Sequence, residues 1–297
     1  MIRTNERGCD ELCFKGKHLM LEELKRLKRI DYLKQNNYLH NSIPPQPEEV
    51  EIEVSYLRHN TNLQGFHGIC DSGGFKKPSQ SDSPTRNLVW WSPDISRQDI
   101  TIAEEQYLIS EGFDNEVKPF LHKFTSSPAF LASSRMGNFR FSMPINELLK
   151  SYREQFCAGQ KPNIRVFETV IYKQEVMYSI LIHAPFAQDL FYKYPLLQNT
   201  QDAVCEFRKD TIIWRPQAMS KTHRFSLSRN KQAIRIPVRD RTNYMWDNIG
   251  VAFHVPRRQI FSFDEAILIK SLRLCEGAEP KLNSEEFVKC DFDRIRP

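Results

Sequence analysis

The stretch Val54 to Phe75, VSYLRHNTNLQGFHGICDSGGF, decides how this chain is read. Apolar residues at Val50, Ile52, Val54 and then Tyr56 alternate with polar ones, which predicts a strand over residues 50–57 running on to His59. Leu63, Phe66 and Ile69 then recur at three-residue steps, which predicts a short helix, and Gly73-Gly74 is a natural helix stop. The unit is therefore strand, turn, helix, glycine stop.

Outward from this unit the chain alternates between elements of both kinds. Upstream, Ser42-Ile43-Pro44-Pro45-Gln46-Pro47 reads as an extended linker. Before it, Leu19, Leu21, Leu24, Leu27, Ile30 and Leu33 form an apolar stripe with Lys25, Arg26, Lys28, Arg29 and Lys34 between them, which predicts an amphipathic helix with a basic face. Residues 1–46 thus read as an appendage. Downstream, the polar run 76–87 reads as a loop and Leu88-Val89-Trp90-Trp91 as a short buried strand. Helices are expected over 102–109, 145–156 and 263–274, and strands over 139–143, 211–214, 233–238 and 249–255. Arg165 to His183, broken at Lys173-Gln174, is the strongest β signal and suits two adjacent strands or one bent strand. The fold class expected is α+β.

Composition narrows the function classes. With 40% apolar residues in 297, the chain can bury a core, so disorder throughout is excluded. No apolar run reaches the ~18–20 residues of a membrane span, and the charged start MIRTNERGCDELC does not read as a signal peptide. Seven cysteines without regular spacing favour free thiols and a cytoplasmic or nuclear location. Lys221 to Arg258 holds nine Lys/Arg against two Asp, a local excess that suits RNA or DNA phosphates or simply charged strand edges. Phosphate-loop, dinucleotide-fingerprint, zincin and nucleophile-elbow motifs are absent from the sequence. Cys9, Cys13 and His18 offer three zinc-ligand types, but a structural site needs four, so no metal is assigned.

Residues 54–75 resemble the opening of ADP-ribosyltransferases of the diphtheria-toxin-like branch. That group includes the poly(ADP-ribose) polymerases, DarT-type DNA-modifying toxins and RNA 2′-phosphotransferases. Its first strand carries H-G-T or H-x-T, matched here by His59-Asn60-Thr61, followed by a helix with an Ile and then G-[FL], matched by Ile69 and Gly74-Phe75. Asn60 stands where the family commonly has Gly. Leu88 to Ser92 resembles the strand whose aromatic residue stacks on nicotinamide, with Trp91 in place of Tyr, and Gln174 to Ile180 resembles the late strand in which a Glu precedes a hydrophobic run.

The resemblance covers about residues 50–183. It implies a split β-sheet core with flanking helices, an ADP-ribosyltransferase-like core over 47–200 and a β-rich basic extension over 201–297 that could complete the same domain. It implies NAD as substrate, with His59, Asn60, Thr61 and Trp91 at the ligand and Glu175 as the catalytic carboxylate. A fixed carboxylate there would stabilise the oxocarbenium-like cation formed as the nicotinamide–ribose bond breaks. Arg135 or Arg140 would hold a phosphate, and Glu168 is the alternative carboxylate. His67 and His183 are further candidates. The implied activity is transfer of ADP-ribose to a protein or nucleic-acid acceptor. Asn60 and the missing Tyr leave open an inactive relative that binds NAD-like ligands, and the basic segment leaves open a nucleic-acid-binding or antiviral effector.

Overall fold

The computed structural model describes residues 1–4, 10–20, 23, 50–77, 84–110, 134, 136–172, 175–216, 223–227, 233–237 and 248–275. The first half holds β1 (Ile2–Thr4), β2 (Asp10–Lys15), β3 (Ile52–Val54), β4 (Tyr56–Thr61), α1 (Leu63–Ser72), β5 (Gly74–Phe75), β6 (Leu88–Pro93), α2 (Arg97–Ser110), β7 (Phe139–Pro144) and α3 (Ile145–Phe156). The second half holds β8 (Asn163–Tyr172), β9 (Glu175–His183), α4 (Gln188–Phe191), β10 (Cys205–Arg208), β11 (Thr211–Trp214), β12 (His223–Leu227), β13 (Ala233–Pro237), β14 (Asn248–His254), β15 (Phe261–Ser262), α5 (Glu265–Ser271) and β16 (Leu272–Leu274).

A nine-stranded sheet organises the protein, in the order β1-β2-β8-β9-β14-β6-β4-β7-β16. Every pairing in it is antiparallel except β9–β14, where Asn248 faces Met177 and Phe253 faces Ile182. Small sheets β10-β11-β3 and β15-β5 flank it, and the hairpin β12–β13 pairs only with itself among the described residues. The α+β expectation holds. Among the described residues no helix is long and apolar enough to cross a membrane.

The strand–turn–helix unit forms for the reasons visible in its sequence. Asn62 caps α1 by accepting from the Gly65 N–H at 2.9 Å. Gly73 ends α1 at φ 65°, a left-handed conformation that costs glycine little, with its N–H returned to Cys70. The inward positions Phe66 and Ile69 then meet the sheet. Phe66 stacks on Phe139 at 4.3 Å, Phe75 meets Phe141 edge-on at 5.3 Å, and each buried ring contributes ~2–3 kcal/mol from area alone. From α3, Ile145, Leu148, Tyr152 and Phe156 reach the same core, and the Tyr152 hydroxyl donates to the His254 carbonyl at 2.6 Å.

Two expectations change. The N-terminal region is not wholly an appendage: β1 and β2 extend the sheet past β8, and Leu19 is fully buried. Short strands with charged ends carry too little alternation to announce this. The helix expected from Leu19 to Leu33 and the linker beyond lie largely outside the described residues. From the C-terminal region, β14 runs between β9 and β6, β16 is the last strand beyond β7 among the described residues, and β11 pairs with β3 in the small sheet. The last expected helix is shorter, because Leu272–Leu274 leaves α5 to pair with β7.

Candidate functional site

Strand β4 presents two different faces. Leu57, His59 and Thr61 point into the core, whereas Tyr56, Arg58 and Asn60 point to the opposite side.

On the core face, β4 and β6 pair only at Leu57–Pro93 and Arg58–Ser92. One step further the ladder opens, and the His59 imidazole bridges the gap with Nδ1 2.8 Å from the Trp90 carbonyl. A carbonyl only accepts, so Nδ1 carries the proton. Burial lowers the pKa of His59, which makes the neutral ring dominant at pH 7 and leaves Nε2 as an acceptor. Phe75 and Trp91 lie 5.1 and 5.6 Å from the His59 ring. Gly137, at φ 130°, lets a second chain segment close on this corner, since a Cβ there would stand 2.3 Å from the Thr61 carbonyl.

Trp91 does not offer an open stacking face. It is 2% exposed and packed against Phe75 at 4.8 Å. The half-buried indole of the tandem pair is Trp90. It shares its sheet face with Ser92, and so with Arg58 and Asn60, and it lies across Gly250 of β14.

On this second face a polar group gathers. Arg58, 4% exposed, reaches Asp94 at 3.4 Å. Arg140, opposite Asn60 on β7, donates from Nε to Asn60 Oδ1 at 3.0 Å and lies 3.7 Å from Asp94. Ser142 donates to the other Asp94 oxygen at 2.5 Å. Burial, and then repulsion from Arg140, brings the Arg58 guanidinium down to about 10. Asn60 and Arg140 pair across β4 and β7 with Arg58 and Asp94 beside them, and Trp90 of the neighbouring β6 lies on the same sheet face. This face provides an aromatic ring, an amide and guanidinium groups, which are recognition groups for a flat base and an anion.

The carboxylates of the resemblance are elsewhere. Glu175 is the first residue of β9 and pairs with Tyr172 across the hairpin. The register places Ile180, not Glu175, in the row of His59 and Trp91. Three strand spacings of ~4.8 Å and five residues of ~3.3 Å separate the His59 and Glu175 backbones, about 14 Å across the sheet and about 17 Å along it. The strand order does not bring them together. Glu168, 1% exposed, is held by Arg3 Nη1 at 3.1 and 3.2 Å and by the Cys13 thiol at 2.9 Å, a structural arrangement. Arg135 lies outside the described residues.

The remaining histidines are placed plainly. His183 is fully buried, accepting at Nε2 from Arg165 and donating from Nδ1 to Ala184, a satisfied structural group. His67 rides half-buried on α1 beside Phe66. Cys13 and His18 do not share a site: Cys13 bonds Glu168, while His18 turns to Asp202.

Sequence reasoning singled out Asn60 and Arg140 of this polar group, and also His59, which lies on the opposite face of β4, but passed over Arg58 and Trp90. An arginine inside an alternating strand was the available signal for the first. For the second, adjacent tryptophans on one strand must face opposite sides, and only the packing decides which faces the core. Comparison with protein-family models, with curated proteins and with solved structures returned no match to this chain.

Proposed function

We propose that this protein binds an NAD- or ADP-ribose-like nucleotide on the sheet face of Trp90, Asn60, Arg58 and Arg140, as a relative of the ADP-ribosyltransferases without their transfer chemistry. The carrying observation is the convergence of two guanidinium groups from β4 and β7 on a single carboxylate, Asp94, on the sheet face that also carries the half-buried Trp90 indole. A ring stacks on Trp90 and a phosphate takes the arginine side, where charge-assisted bonds are strongest. The opening of the β4–β6 ladder at His59 supports the split-sheet part of the resemblance. The separation of His59 from Glu175 weighs against transfer.

The test is calorimetric titration of the full chain with NAD, ADP-ribose and AMP, beside incubation with labelled NAD and nucleic acid or lysate. Saturable binding that weakens at least tenfold in Arg140→Met and Trp90→Ala, with no label transferred, is the expected result. Absence of binding by all three nucleotides overturns the proposal. Label transfer that Glu175→Gln abolishes would restore the enzymatic reading.

A second reading rests on the hairpin β12–β13, which pairs with no other strand among the described residues and sits within the basic segment 221–258. A two-stranded ribbon in a segment of this charge suits nucleic-acid phosphates. Binding to RNA or DNA that falls steeply with added salt would support it, and a flat salt response would remove it.

A further inference from the structure

We propose that His18, Asp202 and Cys205 form a binding site for a zinc-type divalent cation. These residues come from the segment after β2 and from the approach to β10, far apart in sequence. Their ligand atoms lie within 4.8 Å of one another. His18 Nδ1 is 2.7 Å from Asp202 Oδ2 and 4.0 Å from Cys205 Sγ.

The orientation of the imidazole carries the argument. Nε2 of His18 lies 2.8 Å from the Ser179 carbonyl, which can only accept, so Nε2 bears a proton. Nδ1 then directs its lone pair at the Asp202 carboxylate, and two acceptors at 2.7 Å repel unless a cation stands between them. Either a second proton or a metal ion supplies it. A backbone carbonyl holding the far ring nitrogen is the arrangement that fixes a histidine for metal ligation.

The neighbours orient the other two ligands. Asp202 Oδ1 accepts the Val204 and Cys205 N–H groups at 2.8 and 3.2 Å, which directs Oδ2 at the imidazole. Tyr178 packs edge-on against the His18 ring at 5.3 Å, and its hydroxyl donates to the Leu19 carbonyl at 2.6 Å.

A proton alone would need only the imidazole and the carboxylate. A fully buried thiol as third neighbour is what distinguishes this cluster from an ordinary ion pair. Nitrogen, carboxylate oxygen and thiolate sulfur together suit Zn(II) and exclude the hard ions Mg²⁺ and Ca²⁺. Bonds of ~2.0–2.3 Å in a tetrahedron set ligand atoms about 3.3–3.6 Å apart. The N–O separation opens and the N–S separation closes, each by less than about 1 Å, which side-chain rotation supplies. The ion displaces the thiol proton, and a water takes the fourth position.

The site ties the chain after β2 to the small β10-β11-β3 sheet, and through Ser179 to the middle of the large one. Its test uses the full chain, freed of any tag and stripped with chelator, then titrated with Co(II) and separately with Zn(II). One ion per chain, with a thiolate-to-cobalt charge-transfer absorption, is expected. Cys205→Ser should lose that absorption and at least tenfold in affinity, whereas Cys157→Ser should retain both. Folded wild-type chain that takes up no stoichiometric metal, or an absorption that persists in Cys205→Ser, overturns the proposal. If Cys205→Ser does not fold, thermal melting decides: Zn(II) should raise the wild-type Tm and chelator lower it, and an unmoved Tm rejects the site.

Discussion

Trp90 packs the edge atoms of its benzo ring against Gly250. A Cβ placed on Gly250 would stand 3.2 Å from Trp90 Cζ3 and 3.4 Å from Cε3, so the benzo ring of the indole occupies the space of the missing side chain. Gly250→Val is expected to lift the ring, cost about 1–3 kcal/mol by overpacking and weaken nucleotide binding, as denaturant melts and calorimetry would show. Unchanged binding in a folded Gly250→Val would separate the indole from the ligand.

Arg58 should show opposite signs for stability and binding. Its folded pKa, about 10, lies below its ordinary value, so the buried charge costs stability at every pH below about 10 and the cost fades as pH rises from there toward the ordinary guanidinium range. Arg58→Met removes that cost while Arg140 and Ser142 keep Asp94 engaged. The expected variant melts within about 1 kcal/mol of wild type, or above it, and binds nucleotide at least tenfold more weakly. A strongly destabilised variant with intact binding would make the arginine purely structural.

His183 sets a pH dependence. Burial, helped by the nearby Arg165 charge, brings its pKa down to about 4. Between pH 6.5 and 4 the unfolded chain therefore binds a proton that the folded chain does not, and stability falls as the pH is lowered. The loss is about 3 kcal/mol by pH 4 and levels off below it. His183→Gln, whose amide can accept from Arg165 and donate to Ala184, should flatten this part of the profile in denaturant melts at pH 7.5, 6, 5 and 4. An equally steep profile in the variant would assign the slope to other groups.

At the far edge of the sheet, Cys13 and Glu168 share a bond at 2.9 Å, and burial with the adjacent carboxylate pushes the thiol up to about 12. Iodoacetamide at pH 8 should leave Cys13 unmodified until the chain unfolds, which peptide mass mapping reads directly. Arg3→Met, which strips a 1% exposed carboxylate of its cation, should cost about 2–4 kcal/mol. Rapid alkylation in the native state would mean that β1–β2 opens.

Local features were readable where a short stretch carries its own instructions. The Gly73 stop and the boundaries of α3 both follow from neighbouring residues. The pair β8–β9 was legible from its aromatic and β-branched runs. The candidate site was legible in part, because Asn60 and Arg140 sit on recognisable strands. Which tryptophan faces the core, and how far Glu175 lies from His59, depends on strand order. That order is set when β14 enters beside β9 from a region distant in sequence, and no local pattern encodes it. The His18–Asp202 contact is hidden for the same reason.

The late strand has a further consequence, for birth on the ribosome. The antiparallel neighbours β8 and β9 can pair soon after they emerge, but β14 lies more than sixty residues beyond β9. At ~5–20 residues per second, β9 and β6 wait several seconds with open edges before β14 can fill the gap between them. β6 is rich in leucine, valine and tryptophan and β9 in valine, isoleucine and leucine, the composition of strands that recruit foreign strands. The nascent protein therefore passes through a window in which a chaperone, or a second nascent chain, competes for the place that its own C-terminal quarter will take.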